Sequence, residues 1–406
     1  MTGLGPDAAH LRGRVTGRHL HLAVALDGAG WHPAAWRDPA VRARELFTAR
    51  HWAGLVAEAE RGLLDFVTIE DALGLQSTLL DGPDDRTDQV RGRFDAVLLA
   101  AALAPLTTRI GLVPTATTTH TEPFHVAIGI ATLDHVSSGR AGWRVQVSPR
   151  RTEAAHFGRR DLPVLDLTRV DLTAGAVAEL FAEAADAVEV ARRLWDSWED
   201  DVEIRDVATG RFIDRDRLHS IDFAGDRFSV RGPSITPRPP QGQPVVAVLD
   251  HGASPVPYEL PAGSADVVFV TPHDRDGAAA IVRQIESVRR GPLKVFADLL
   301  VFVGDDAAER KARLDELAGA ELTSDAYVFA GTAAELADLL LDWRAAGIEG
   351  YRLRPGAVPI DLAGISRQLV PELRERGAFR SSYEAATLRG LLGLPRPASR
   401  YASSES

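Results

Sequence analysis

The sequence predicts an α/β protein built as one (β/α)8 TIM barrel with insertions. Three observations carry that prediction. Short β-branched apolar runs alternate with longer stretches at helical spacing along most of the 406 residues, and such alternation makes a parallel sheet with helical crossovers. There are about eight of these units, the number that closes a sheet on itself. Polar stretches rich in Gly or hydroxyls follow the apolar runs, where a barrel keeps its working groups.

Taken in order, residues 1–18 are Gly/Arg-rich with no apolar segment, and read as a flexible arm without a signal peptide. Residues 19–26 (HLHLAVAL) are the first strand. Asp27, Gly28, Ala29 and Gly30 follow as a turn whose small residues let a ligand approach. Trp31 and His32 then fall in the loop beyond the strand's C-terminal end, as pocket candidates. An amphipathic helix at 47–61 leads to a second strand at 64–69, which ends on Glu70 and Asp71. Residues 72–93 read as a long polar loop. The helix at 96–103 is stopped by Pro105, and the β-branched run at 109–113 is the third strand. After it come Pro114, Thr115, Ala116, Thr117, Thr118, Thr119, His120 and Thr121, a hydroxyl-rich turn. A helix at 124–133, a turn at Ser137, Ser138 and Gly139, and a strand at 143–147 complete a crossover unit.

Residues 150–175 are charged and irregular. A helix follows at 176–195, then an excursion at 199–243 with short alternating strands and a stiff proline connector. Strands at 245–249, 265–270, 293–303, 327–330 and 350–353, with helices at 278–289, 307–317 and 333–346, finish the barrel. The stretches 72–93, 150–175 and 199–243 are therefore insertions into one domain spanning 19–394, and 395–406 reads as a flexible tail.

Composition removes several function classes. The 45% hydrophobic content is ample for a core. A formal net charge of −11 argues against nucleic acid or an anionic membrane as partner. There is no cysteine, hence no disulfide, thiolate nucleophile or Cys-bound metal, which suits a cytoplasmic protein. Apolar runs fall short of the ~20 residues a membrane helix needs. No GxSxG elbow, P-loop or GxGxxG fingerprint occurs. His19 and His21 form an HxH pair, but at the N-terminal end of the first strand, where barrel metal ligands do not sit. No metal site is expected.

The phrases TTRIGLVPTATTTHTEPFH and ATLDHVSSGRAGW resemble the luciferase-like flavin monooxygenases, in the branch with nitrilotriacetate, dibenzothiophene-sulfone and long-chain alkane monooxygenases. LDGAGWHPAAWR (26–37), WDSWEDD (195–201), FSVRGPSITPRPPQGQPVV (228–246) and TLRGLLGLPRP (387–397) extend the resemblance along most of the chain. It implies a bacterial luciferase-like barrel that uses reduced FMN and O2 to oxygenate a small organic substrate. A separate NAD(P)H:flavin reductase would supply the flavin, and the family forms homodimers or homotetramers. It also implies flavin contacts from Asp71, from Thr115 or Thr117, from Ser148 at the end of the fourth strand, and from Ser254 in the Gly252, Ala253, Ser254 loop, where the phosphate binds. The ordinary alternatives are a helix cap for Asp71 and turn chemistry for the threonines.

Two departures stand out. The family's His and Tyr on the helix after the fourth strand are matched here by Val177 and Phe181. Its Asn after the RAGW phrase is matched by Arg144, a fixed cation that suits an anionic substrate or an ion pair with a carboxylate. These changes mark a divergent subgroup. They keep open a deazaflavin coenzyme used for hydride transfer in the same fold, or a barrel without tight flavin binding. His120 is the candidate for proton transfer, because imidazole titrates near neutrality.

Overall fold

Nine parallel strands make the sheet, and eight of them close into a ring. They are β1 (His21–Leu26), β2 (Phe66–Ile69), β3 (Gly111–Thr117), β4 (Gly142–Gln146), β5 (Val245–Leu249), β6 (Val267–Val270), β7 (Lys294–Val303), β8 (Tyr327–Gly331) and β9 (Gly350–Pro355). These come from a computed structural model that describes residues 19–79, 81–163, 170–250 and 259–402. The ring runs β1 to β7 in order, then β9, which returns to β1. β8 is left outside it for a geometric reason. β7 has ten residues and β6 only four, so β6 covers the edge of β7 only as far as Ala297. The exposed edge beyond, from Leu299 to Val303, takes β8 as a further parallel strand above β6.

Helices α1 (Ala49–Arg61), α2 (Ala96–Leu103), α3 (Pro123–Val136), α4 (Arg151–Phe157), α5 (Val170–Asp196), α6 (Glu259–Ser264), α7 (Arg275–Val288), α8 (Ala307–Ala318) and α9 (Ala333–Ala345) connect the strands. Their starts follow local chemistry. Thr48 accepts from the amide of His51, Asp95 from that of Leu98, and Thr332 with Glu335 makes a reciprocal capping box.

The fold differs from the sequence reading in four places. β3 runs on to Thr117, because Thr115, Ala116 and Thr117 pair with Arg144, Val145 and Gln146 of β4. The threonines are thus strand residues and not a turn. The stretch expected to be irregular contains α4, closed by Gly158 at a left-handed φ of 63°. α5 begins six residues early, at Val170. Residues 395–402 are tied down: Arg396 pairs with Asp200, Arg400 with Glu189, and Tyr401 stacks on His219 at 4.4 Å. Carboxylates of the 199–243 excursion and of α5 hold this arginine-rich segment, and the excursion itself folds as two small hairpins.

The interior is layered. Ala23, Phe66, Val113, Ala247, Phe269 and Phe296 fill its lower part, with Leu388 and Leu392 from the C-terminal stretch packed among them. Gly142 and Gly350 leave room for these side chains: a Cβ on Gly142 would lie 2.9 Å from Val113, and one on Gly350 2.6 Å from the Phe296 ring. His21 belongs to this closed end, with Nδ1 3.1 Å from Asp65 and its ring stacked on Phe296. Above the phenylalanines the inward positions turn polar.

Candidate active site

Thr68, Glu70, Thr115, Arg144, Asp298, Arg352 and Arg354 are all buried, and they form one network at the C-terminal mouth of the barrel. Arg352 and Arg354 are two residues apart on β9 and share one face of it. Both guanidiniums donate to Asp298 of β7, from Arg352 Nε at 2.8 Å and from Arg354 Nε at 2.9 Å. Arg354 also donates to Asp325 at 2.7 Å. Arg352 Nη1 continues to Glu70 Oε1 at 3.0 Å, and the Thr68 hydroxyl donates to the same oxygen. Arg144 Nη1 lies 3.0 Å from Glu70 Oε2, 3.0 Å from Thr115 Oγ1 and 2.9 Å from Gln146 Oε1. Burial works against the charges of Glu70 and Asp298, but the surrounding arginines outweigh it and hold both carboxyls below their ordinary range. Aromatic faces complete the plate, with Arg352 over Phe269 at 4.3 Å and Arg354 over Trp31 at 4.7 Å.

The residues singled out from sequence divide around this network. Thr115 and Arg144 are in it. Trp31 joins through its ring, while its Nε1 donates to Ala25 O and fixes the loop after β1. Thr117 is buried at the same mouth and accepts through its carbonyl from Thr121. The two oxygens of Asp71 accept from the amides of Ala72 at 2.7 Å and of Ala96 at 2.9 Å, the first residue of α2, beside the capping Asp95. Burial, and then the charge of Asp95, raise its carboxyl above the ordinary value. Ser148 Oγ donates to Glu153 of α4 at 2.6 Å, and its amide donates to Thr119 Oγ1. His32 faces elsewhere: Nε2 is 3.1 Å from Asp315, Nδ1 accepts from Ala34 N, and both nitrogens are spent on holding the loop to α8. Ser254 and its neighbour His251 lie outside the described residues. Phe181 is partly buried against an apolar cluster that includes residues of α3 and α5.

Sequence reasoning missed Glu70, Asp298, Arg352 and Arg354. A signal was present. A lone aspartate in the apolar run KVFADLLVFV and arginines two apart in GYRLRP occupy strand positions that should be apolar, and their charges are complementary.

His120 sits just past the end of β3 with φ at 72°, an uncommon conformation for a residue with a side chain. Its ring stacks on Phe157 of α4, and burial, then the charge of Arg160, push its imidazole down to about 4. It is neutral at physiological pH. Its Nε2 is buried without a partner, and the same holds for Arg144 Nε, Arg93 Nε and Arg160 Nη2 among the described residues. Arg144 is on β4 itself, and Arg93, His120 and Arg160 are in the segments that follow β2, β3 and β4. Buried polar groups are nearly always satisfied. Other such atoms, on His51, Arg310 and Arg380, lie away from this network, whereas these three guanidinium donors and one imidazole nitrogen are on consecutive units of the barrel and would suit a ligand rich in acceptors.

Residues 29–353 match the family model for luciferase-like monooxygenases. The chain belongs to that family. N-acetyl-S-(2-succino)cysteine monooxygenase of Bacillus subtilis is 30% identical over 95% of this chain and 99% of its own length. Nitrilotriacetate monooxygenase component A of Aminobacter aminovorans is 29% identical, over 94% and 97%. A riboflavin lyase, solved with modified FMN and riboflavin, superposes with a TM-score of 0.79 at 25% identity, covering 94% of this chain and 97% of that one. Luciferase-like monooxygenases are flavin-dependent oxidoreductases, and this chain is an enzyme of that class. The unmet donors suit the carbonyls and ring nitrogens of a flavin. Among the described residues no helix is long and apolar enough to cross a membrane.

Proposed function

We propose that the protein is a monooxygenase that receives reduced FMN from a separate NAD(P)H:flavin reductase and uses O2 to oxygenate a small organic substrate. The observation that carries this reading is the set of buried polar atoms without partners, Arg93 Nε, His120 Nε2, Arg144 Nε and Arg160 Nη2, on β4 and on the segments that follow β2, β3 and β4. The "component A" in the name of the nitrilotriacetate relative supports the division of labour with a second protein. Reduced FMN, when bound, supplies the electrons with which O2 is activated. The chain's part is binding, orientation and exclusion of water. Thr115 and Arg144 would face the ring from the barrel floor, Thr117 its edge, and the segment around Ser254 the phosphate. Asp71 and Ser148 act one step back, fixing the starts of α2 and α4. His120, neutral and with Nε2 unpaired, would offer the ring or the substrate a hydrogen bond.

The test is oxygen uptake in a mixture of this protein, a flavin reductase, NADH and FMN, screened against carboxylate-bearing, thioether and alkane substrates. Substrate-dependent product carrying one atom from labelled O2 supports the reading. Hydride transfer to a deazaflavin without oxygen uptake would replace it with the coenzyme alternative.

A further inference from the structure

Arg144 is bound unevenly. Its Nη1 serves Glu70, Thr115 and Gln146, while its Nε is buried and has no acceptor among the described residues. Among those residues Glu70 is the one carboxylate within salt-bridge distance of it, and Glu70 is shared with Arg352. Asp298 is likewise shared, by Arg352 and Arg354. Three guanidiniums therefore draw on two fully enclosed carboxylates. The third acid of the group, Asp325, bonds Arg354 at the rim, and Asp27 pairs with Arg93 at 4.0 Å. Burial and the charges of Arg352 and Arg354 all press against the Arg144 cation, which Glu70 sustains. A buried cation in this state gains from an anionic acceptor placed at its free nitrogen.

We propose that Arg144 is the residue by which the site prefers reduced over oxidised flavin, its unpaired Nε donating to the anionic edge of the reduced ring. This rests on the flavin reading above. The reduced ring carries negative charge along N1 and the adjoining carbonyl once N1 has lost its proton, whereas the oxidised ring is neutral. A fixed charge beside that edge is a protein's usual means of setting flavin electronics. Discrimination between the two forms suits an enzyme that takes its flavin from another protein, since it captures the reduced form and releases the oxidised one.

The experiment compares wild type, Arg144→Gln and Arg144→Lys, with dissociation constants for oxidised and for anaerobically reduced FMN, and with the midpoint potential of the bound flavin. In Arg144→Gln the Glu70 carboxylate keeps Arg352 and Thr68 as donors, so the fold retains a partner for it. Arg144→Gln is expected to lose about tenfold in the oxidised-to-reduced ratio, equivalent to a potential about 30 mV more negative for a two-electron couple. Arg144→Lys keeps the charge but has no Nε, so it should lose part of the preference; if the glutamine variant does not fold, a lysine ratio equal to that of wild type overturns the role. Equal ratios in wild type and Arg144→Gln overturn the role of Arg144 and leave flavin binding standing. Failure of the wild type to bind reduced FMN overturns the flavin reading itself.

Discussion

Arg144 Nη1 lies 3.0 Å from one oxygen of Glu70, and Arg352 Nη1 lies 3.0 Å from the other. One buried carboxylate thus joins β2, β4 and β9 across the barrel mouth. Replacing it with an apolar residue leaves Arg144 out of water with no carboxylate, while Arg352 keeps only the carboxylate of Asp298. Glu70→Leu is predicted to cost about 3–5 kcal/mol in reversible urea unfolding, the usual effect of removing one partner of a buried pair. Glu70→Leu combined with Arg144→Met should recover part of that loss. A single variant within 1 kcal/mol of wild type would show that the pair carries no weight.

Glu58 predicts a different acid sensitivity. Arg367 beside it holds its carboxyl at about 2 against an ordinary 4.5, despite the opposing effect of burial. A carboxyl depressed in the folded state contributes its full stability above the unfolded value, and that stability is lost as pH falls through the folded one. Thermal midpoints should therefore decline from pH 4.5 towards pH 2, and Glu58→Gln should flatten that decline. Parallel curves for the two proteins would contradict the assignment.

His120 acts in a higher window. Its folded value of about 4 lies below the ordinary 6.5, so the unfolded chain takes up a proton first as pH falls. Stability contributed by the neutral ring is complete above pH 6.5 and disappears progressively down to about 4. His120→Asn should be less sensitive than wild type across that interval, and the asparagine tolerates the left-handed backbone. In activity profiles the wild type should show no inflection near pH 6.5 from this residue. NMR titration of the ring is the direct check.

Gly30 tests the loop that carries Trp31. Its φ is 127°, and an added Cβ would lie 2.5 Å from the carbonyl oxygen of Gly356 and 2.7 Å from Cα of Ala357. Both are backbone atoms that cannot step aside. Gly30→Ala is predicted to lose about 2 kcal/mol or more and to loosen the stacking of Trp31 on Arg354, visible as changed tryptophan fluorescence. Gly54→Ala, with nothing within 4 Å of its Cβ, is the control and should be neutral or stabilising.

The barrel was legible because its strands are short β-branched runs at regular spacing. The resemblance carried by the stretch from Thr107 to Trp143 agreed with that reading. Thr115 and Arg144 were singled out in the sequence, the first because it follows an apolar run and the second because it departs from the resemblance, and both lie in the buried polar network. Arg352, Arg354 and Asp298 sit within runs that are otherwise apolar, and their meaning appears only when β7 and β9 are neighbours. That adjacency depends on β8 being displaced, which strand length decides and periodicity does not show. His32 misled for the converse reason: a histidine beyond a strand end suggests a pocket, but its partner Asp315 is 283 residues away.

Everything proposed for this protein depends on reduced FMN binding at the mouth around Arg144 and His120. Anaerobic titration of the purified protein with reduced FMN, followed by absorbance and by tryptophan fluorescence, measures it directly. Saturable binding at one flavin per chain, weakened in Arg144→Gln, is the predicted result. No binding at high micromolar flavin would contradict the account, and would make Val177 and Phe181 the mark of a barrel that has given up the cofactor.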